Sequence, residues 1–115
     1  MRFSQWSIVS VSLDPIIGSE QGKTRPCLII SADYMNGRLK TVVVLPITTR
    51  ESGRGIYPNE VLLPVEKSCL PNESIILTFQ IRTVDISRVG KFYGLLDSLS
   101  IRDEVYKALD FIFDR

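Results

Sequence analysis

Three side chains in this sequence are of types suited to work on a phosphate: a guanidinium at Arg25, a hydroxyl at Thr48 and a carboxylate at Glu20. Arg25 precedes Pro26, which biases it towards an extended backbone, so its side chain should stand on a strand rather than on a loop. A guanidinium held that way is a permanently charged fork for a phosphate, and with a pKa of about 13 it is a poor general base. Thr48, in Pro46-Ile-Thr-Thr49, offers a hydroxyl that can donate to a phosphate oxygen or orient an attacking hydroxyl. Glu20, with a reference pKa of about 4.3, is ionised near neutral pH and a weak base unless its surroundings raise it. Each has an ordinary alternative: a surface ion pair for Arg25, a β-branched strand residue for Thr48, a loop carboxylate paired with Lys23 for Glu20.

The chain has no histidine, the usual general base near neutrality, so acid–base chemistry falls to carboxylates, cations, hydroxyls or the substrate itself. Without histidine or a close cysteine pair, zinc is not expected, and no cofactor is implied. Cys27 lies in an apolar run and reads as a buried, inert thiol; Cys69, in "KSCLPNES", can be exposed. The 115 residues suit one domain, 1–115, with one core, and the 44% hydrophobic and 23% charged fractions are those of a globular protein. No apolar run reaches the length of a membrane span, and "MRFSQWSIVS" shows no signal peptide, so a cytoplasmic location and no membrane partner are expected. Net charge is +1, but Lys23, Arg25, Arg38, Lys40, Arg50 and Arg54 face only Asp33 and Glu51 between positions 21 and 54, a local +4. That asymmetry permits a polyanion-binding face; scattered solvated charges explain it equally well.

Several short strands must position these residues. Val9, Val11 and Leu13 alternate with Ser10 and Ser12, the pattern of a half-buried strand. Residues 27–30 read as a central strand, 41–45 as the next, with Pro46 ending it or marking a bulge. Asn36-Gly37 signals a turn between them. Residues 60–63 form a shorter strand, 74–83 a long one, and 92–96 one more. After Ser100, read as a cap with Asp103 three residues on, the period changes: Ile101, Val105, Ala108, Leu109 and Ile112 share one face of a helix. Phe111 and Phe113 widen the apolar surface at its end, where it can serve a partner chain. The class expected is α+β, mainly β: a small, strongly curved antiparallel sheet or barrel with a C-terminal helix packed on it.

Four blocks, in order over nearly the whole chain, resemble the MazF/PemK family of toxin endoribonucleases. "DPIIGSEQGKTRPCLIIS" is similar to the family's first loop and second strand, and "VLPITTR" to its P-x-T-T block. "YPNEVLLP" resembles its Y-P-x-E-V segment, and "FQIRTVDISRVGK" its fourth, Q-x-R-T-containing block. The resemblance implies an SH3-like fold working as a homodimer and metal-independent cleavage of single-stranded RNA. It also implies attack by the 2′-hydroxyl to give 2′,3′-cyclic phosphate and 5′-hydroxyl ends, and a cognate antitoxin as partner. Carried over by position, it makes Arg25 and Thr48 catalytic and Glu20 important to activity. It brings Lys23, Thr24, Thr49, Arg50, Gln80 and Arg82 towards RNA, with Arg82 and Arg88 as possible supports of the fold and Asp85 as a partner for Arg82.

The sequence departs from the family at informative places. Where many members carry an acid before the glutamine of the fourth block, this chain has Phe79, either a stacking surface for a splayed base or a core residue. Where members often have Gly-Asp, it has Trp6-Ser7, and before the loop's arginine it has Thr24 where some have histidine. Two alternatives are thereby framed. A CcdB-like gyrase poison would need a C-terminal Trp-Gly, but the chain ends "FIFDR" and its only tryptophan is Trp6. A catalytically weak RNA- or antitoxin-binding homologue is suggested by Phe79 and Ser7.

Overall fold

The computed structural model describes residues 3–15, 17–20 and 23–115. Seven strands appear in the order β1 (Ser7–Ser12), β2 (Thr24–Ile29), β3 (Thr41–Thr49), β4 (Glu60–Leu63), β5 (Ser74–Leu77), β6 (Arg82–Asp85) and β7 (Val89–Leu95). A one-turn helix, α1 (Asp33–Asn36), precedes β3, and the helix α2 (Leu99–Ile112) ends the chain. The pairing is antiparallel, in the spatial order β4-β5-β3-β2-β1-β7, with β6 also on β3. The sheet is strongly curved but not closed: no pairing joins β7 to β4 among the described residues, so the expected barrel is an open one.

The alternation in β1 predicted one dry face and one wet one. Instead Ser7, Ile8, Val9, Ser10 and Val11 are all buried, because β1 lies between β2 and β7 and both faces of the sheet are covered. On one face Ile8, Leu28, Leu45 and Ile47 pack with Ile101, Val105 and Ala108 of α2. On the other, Val9, Val11, Leu13, Cys27, Ile29, Val42, Val44 and Val84 meet inside the curl. Each such aliphatic side chain contributes about 1.5–3 kcal/mol relative to exposure. The polar side chains drawn into this interior are satisfied locally: Ser10 Oγ accepts the Lys91 N–H at 2.7 Å, and Ser7 Oγ lies 2.9 Å from Ser4 Oγ.

Three further differences from expectation have physical causes. Pro46 does not end β3, which runs on to Thr49; it changes partners there, pairing with β2 up to Pro46 and with β5 from Ile47. The long strand expected over 74–83 is two strands, β5 and β6, separated by a 3₁₀ turn at Thr78–Gln80. Both pair with β3, but Ile47 faces Ile76 whereas Val44 faces Arg82. Three residues of the path are therefore extruded, a large bulge that re-aims its side chains. The α2 cap is Ser98, whose Oγ accepts the Ile101 N–H, rather than Ser100.

Trp6 has φ 74°, the left-handed region that glycine enters freely and other residues do not. In this chain packing holds the strained backbone: the Trp6 ring is 7% exposed, meets Tyr106 edge-on at 5.4 Å, and lies 5.0 Å from the Arg102 guanidinium. Gly94 is a position where glycine is required, for a Cβ built there would lie 2.1 Å from Cys69 Sγ. β7 is thus pressed against the segment that carries Cys69, Leu70 and Pro71.

Candidate active site

The site begins at the loop between β1 and β2. Its base is closed by backbone and side chain together. Leu13 N–H donates to Lys23 C=O at 2.8 Å, and Lys23 N–H donates to Asp14 Oδ1 at 2.7 Å. Two guanidiniums take the carbonyls at the end of β1. Arg82 donates to Leu13 C=O at 3.1 Å; Arg88 donates to Ser12 C=O at 3.1 Å and to Asp14 C=O. Charged donors make these bonds strong, about 1.5–3 kcal/mol each. The expected Arg82–Asp85 pair is absent among the described ion pairs; Asp85 instead accepts the Ser87 N–H at 2.9 Å. Glu20 turns inward on its own loop, its Oε1 accepting the Ile17 N–H at 2.7 Å. It makes no described ion pair with Lys23, so its observed role is to organise the loop. Gln21 and Gly22 of the loop motif lie outside the described residues.

Three recesses adjoin this loop. A groove of about 520 Å³ runs between Ser19 and Glu20 on one side and Phe79, Gln80 and Arg82 on the other, with Pro46 at its base. A second, of about 440 Å³, shares Ser19, Phe79 and Gln80 with it and continues past Thr48 and Thr49 to Arg54 and Glu60. A third, of about 250 Å³, lies on the other side of Thr48 and Thr49 and is lined by Arg25, Pro26, Leu70, Pro71, Asn72 and Tyr93. Thr48 and Thr49 form the ridge shared by the second and third recesses.

Arg25 and Thr48 are brought together by the sheet. β2 and β3 pair as far as Cys27 and Pro46, and just beyond that point, where β3 turns to β5, Arg25 and Thr48 line one recess. The Thr48 hydroxyl has no hydrogen-bond partner among the described residues. Burial pushes the Cys27 thiol up to about 12, while the Arg82 and Arg25 guanidiniums beside it pull the other way. Phe79 is 45% exposed and lines the groove, which removes the core alternative for it.

Other expected residues stand apart. Lys23 and Thr24 are exposed where the loop returns to β2 and line none of these recesses. Arg50 is held away from them, its Nη1 3.0 Å from Glu73 Oε1 and its Nε donating to Arg54 C=O at 2.8 Å. The structure adds residues that the sequence did not single out. Arg54 grips Glu60 through two hydrogen bonds, 2.9 and 2.8 Å, and Tyr57 N–H donates to the same carboxylate at 3.1 Å. The hydrogen bond from Arg54 holds the Glu60 carboxyl below its ordinary range. A lone carboxylate opening the apolar run of β4 was the available signal. Tyr93 and Asn72 carried none. Among the described residues no group of three or more His, Cys, Asp or Glu side chains could hold a metal ion, and no helix is long and apolar enough to cross a membrane.

An open, curved antiparallel sheet backed by a C-terminal helix is the fold of the MazF structures that this chain is similar to. MazF (Form-I) of Deinococcus radiodurans superimposes with a TM-score of 0.81 at 26% identity, over 97% of this chain and 96% of that one. A MazE–MazF structure (Form-II) from the same organism superimposes with a TM-score of 0.71 over 96% and 95%. In sequence, the chain is 39% identical to endoribonuclease MazF of Staphylococcus saprophyticus over 98 residues, 85% of this chain and 80% of that protein. It is 35% identical to endoribonuclease EndoA of Bacillus subtilis over 109 residues, 95% and 92%. Residues 4–113 match the family described as PemK-like, MazF-like toxin of type II toxin–antitoxin system, and the chain belongs to that family.

Proposed function

We propose that this toxin is an endoribonuclease that cleaves single-stranded RNA at the ridge between Arg25 and Thr48, without a metal ion. The observation that carries the reading is the meeting of a strand-held guanidinium and an unpartnered hydroxyl at the mouth of a long open groove. The 2′-oxygen of the substrate forms a bond to phosphorus, and the bond from phosphorus to the 5′-oxygen breaks. Arg25 stabilises the charge that builds on the phosphoryl oxygens, and Thr48 donates to one of them. The proton of the 2′-hydroxyl leaves through water in the open groove. The departing 5′-oxygen, more basic than a guanidine, takes its proton from Arg25. Ends of 2′,3′-cyclic phosphate and 5′-hydroxyl result. Phe79 and Gln80, extruded into the groove, contact bases. Lys23, Thr24 and Arg50 lie outward of the groove, where they can serve only the flanking backbone.

The family and the MazE–MazF relative support an antitoxin as the controlling partner. Exposed Leu95, Leu99, Phe111 and Phe113 offer apolar surface for a second copy in a homodimer or for that antitoxin. Incubation of the purified protein with mixed-sequence RNA in EDTA, followed by end-group analysis, tests the chemistry. Arg25→Ala is expected to lose roughly 100- to 1000-fold in rate while keeping its circular dichroism spectrum. Metal-dependent cutting, or an active Arg25→Ala protein, overturns the scheme. A second reading, an inert RNA-binding homologue, is favoured by Phe79 standing in the groove where an acid is usual; tight binding of RNA left intact by the wild type would establish it.

A further inference from the structure

The recess beside Arg25 and Thr48 contains an aromatic ring that belongs to none of the matched sequence blocks. Tyr93 comes from β7, two strands away from β2 across β1, and the curl of the sheet carries it to the same recess. It is half-buried, it packs against the core that underlies α2, and the Lys91 ammonium stands 5.1 Å from its ring centroid. The facing wall is Leu70 and Pro71, with Asn72 beside them. The two walls are fixed to one another, because the residue after Tyr93 is Gly94, whose α-carbon lies against Cys69 with no room for a Cβ.

The chemistry of this recess differs from that of the groove across the ridge. The groove presents a carboxylate, an amide and a guanidinium. The recess presents a tyrosine, a leucine, prolines, one side-chain amide and the hydroxyls of Thr49 and Ser74, with Arg25 and Thr48 at one side. An aromatic and aliphatic lining with an amide and hydroxyls beside it suits a nucleobase next to the phosphate that Arg25 and Thr48 hold. We propose that this recess is a nucleobase subsite: one base flanking the scissile phosphate stacks on Tyr93, and the Asn72 amide reads its edge. This rests on the reading that Arg25 and Thr48 hold that phosphate.

The test uses RNAs that differ only at the two nucleotides flanking the cut, cleaved in single-turnover reactions by wild type, Tyr93→Phe, Tyr93→Leu and Asn72→Ala. Phenylalanine keeps the ring; leucine keeps apolar bulk over the core and removes it. Wild type and Tyr93→Phe are expected to share one base preference. In Tyr93→Leu the ratio of rates for an RNA with a base over one with an abasic nucleotide at one flanking position should fall by roughly 5- to 150-fold, the span of one lost base–aromatic stack. Asn72→Ala should weaken the preference at that same position. A Tyr93→Leu protein that keeps the wild-type ratio at both positions overturns the proposal, as does one that slows every RNA alike. If Tyr93→Leu loses its fold, Asn72→Ala, on an exposed loop, decides by the same criterion. A wild type that cuts none of the RNAs overturns the functional reading and this one with it; a wild type that cuts while the variants keep its preferences overturns this one alone.

Discussion

We propose that Glu20 belongs to the active site as an organiser of its loop rather than as a group that acts on the substrate. Its carboxylate accepts the Ile17 N–H and so shapes the loop that walls the groove. Glu20→Gln preserves an acceptor oxygen, and its cleavage rate is expected to stay within about fivefold of wild type. A fall of roughly 100-fold or more in that variant would make Glu20 a general base instead. The thiols give a second measurement at this scale. Cys27 is buried and its pKa is pushed up to about 12, whereas Cys69 is exposed. A thiol reagent near pH 8 should therefore modify Cys69 alone in the native protein and both cysteines in denaturant; native labelling of Cys27 would contradict its burial. Arg25 and Thr48 could be proposed from the sequence because each sits in a contiguous block; Pro26 placed Arg25 on a strand, whereas Pro46, read as a strand end or bulge, gave no such help for Thr48. Tyr93 and Asn72 could not, because only the curl of the sheet brings them to the site.

Among the elements, the helix shows how local signals compete. The sequence pointed to Ser100 as the cap, but it is Ser98 that accepts the Ile101 N–H. Ser98→Ala should lower stability by about 1 kcal/mol and Ser100→Ala by less than about 0.5 kcal/mol, read by denaturant unfolding. Equal losses would show that the two hydroxyls, 3.1 Å apart, cap as a unit. The buried face of α2 was legible in large part: of the five residues expected on it, Ile101, Val105 and Ala108 are buried, while Leu109 and Ile112 are half-buried. The break in the long strand was not. From Leu77 on, Phe79 and Ile81 alternate with Thr78, Gln80 and Arg82, so period two persists through the turn at Thr78–Gln80. The break becomes visible only in the pairing with β3, opposite the stretch around Pro46, which has no N–H to give. Asn36-Gly37 likewise read as a turn between strands, and what forms there is one turn of helix ending at Gly37.

At the scale of the whole molecule, the far wall of the groove depends on a charge pair. Arg54 and Tyr57 N–H both bond the Glu60 carboxylate, whose side chain is 2% exposed. The carboxyl is depressed from its ordinary value of 4.5, chiefly by the Arg54 hydrogen bond. A depressed carboxyl stabilises the fold above its unfolded pKa, and that contribution is lost as pH falls through the folded value. Thermal melts should accordingly show Glu60→Gln less stable than wild type at neutral pH, with the gap closing below about pH 4.5. A gap that persists in acid would assign the difference to shape rather than charge. The open sheet, curved so that both faces are dry, was legible only in part: the strands were, but burial on both sides of β1 depends on which strands flank it. One consequence follows from the three residues extruded between β5 and β6. Their flanks are pinned to β3 on either side, and Thr78 is buried with its hydroxyl donating to Asn59 C=O at 2.6 Å, so it anchors the turn. Phe79 and Gln80, which line the groove, can then be exchanged without disturbing the register of either strand, and those two positions are the natural place to graft a new preference into this chain.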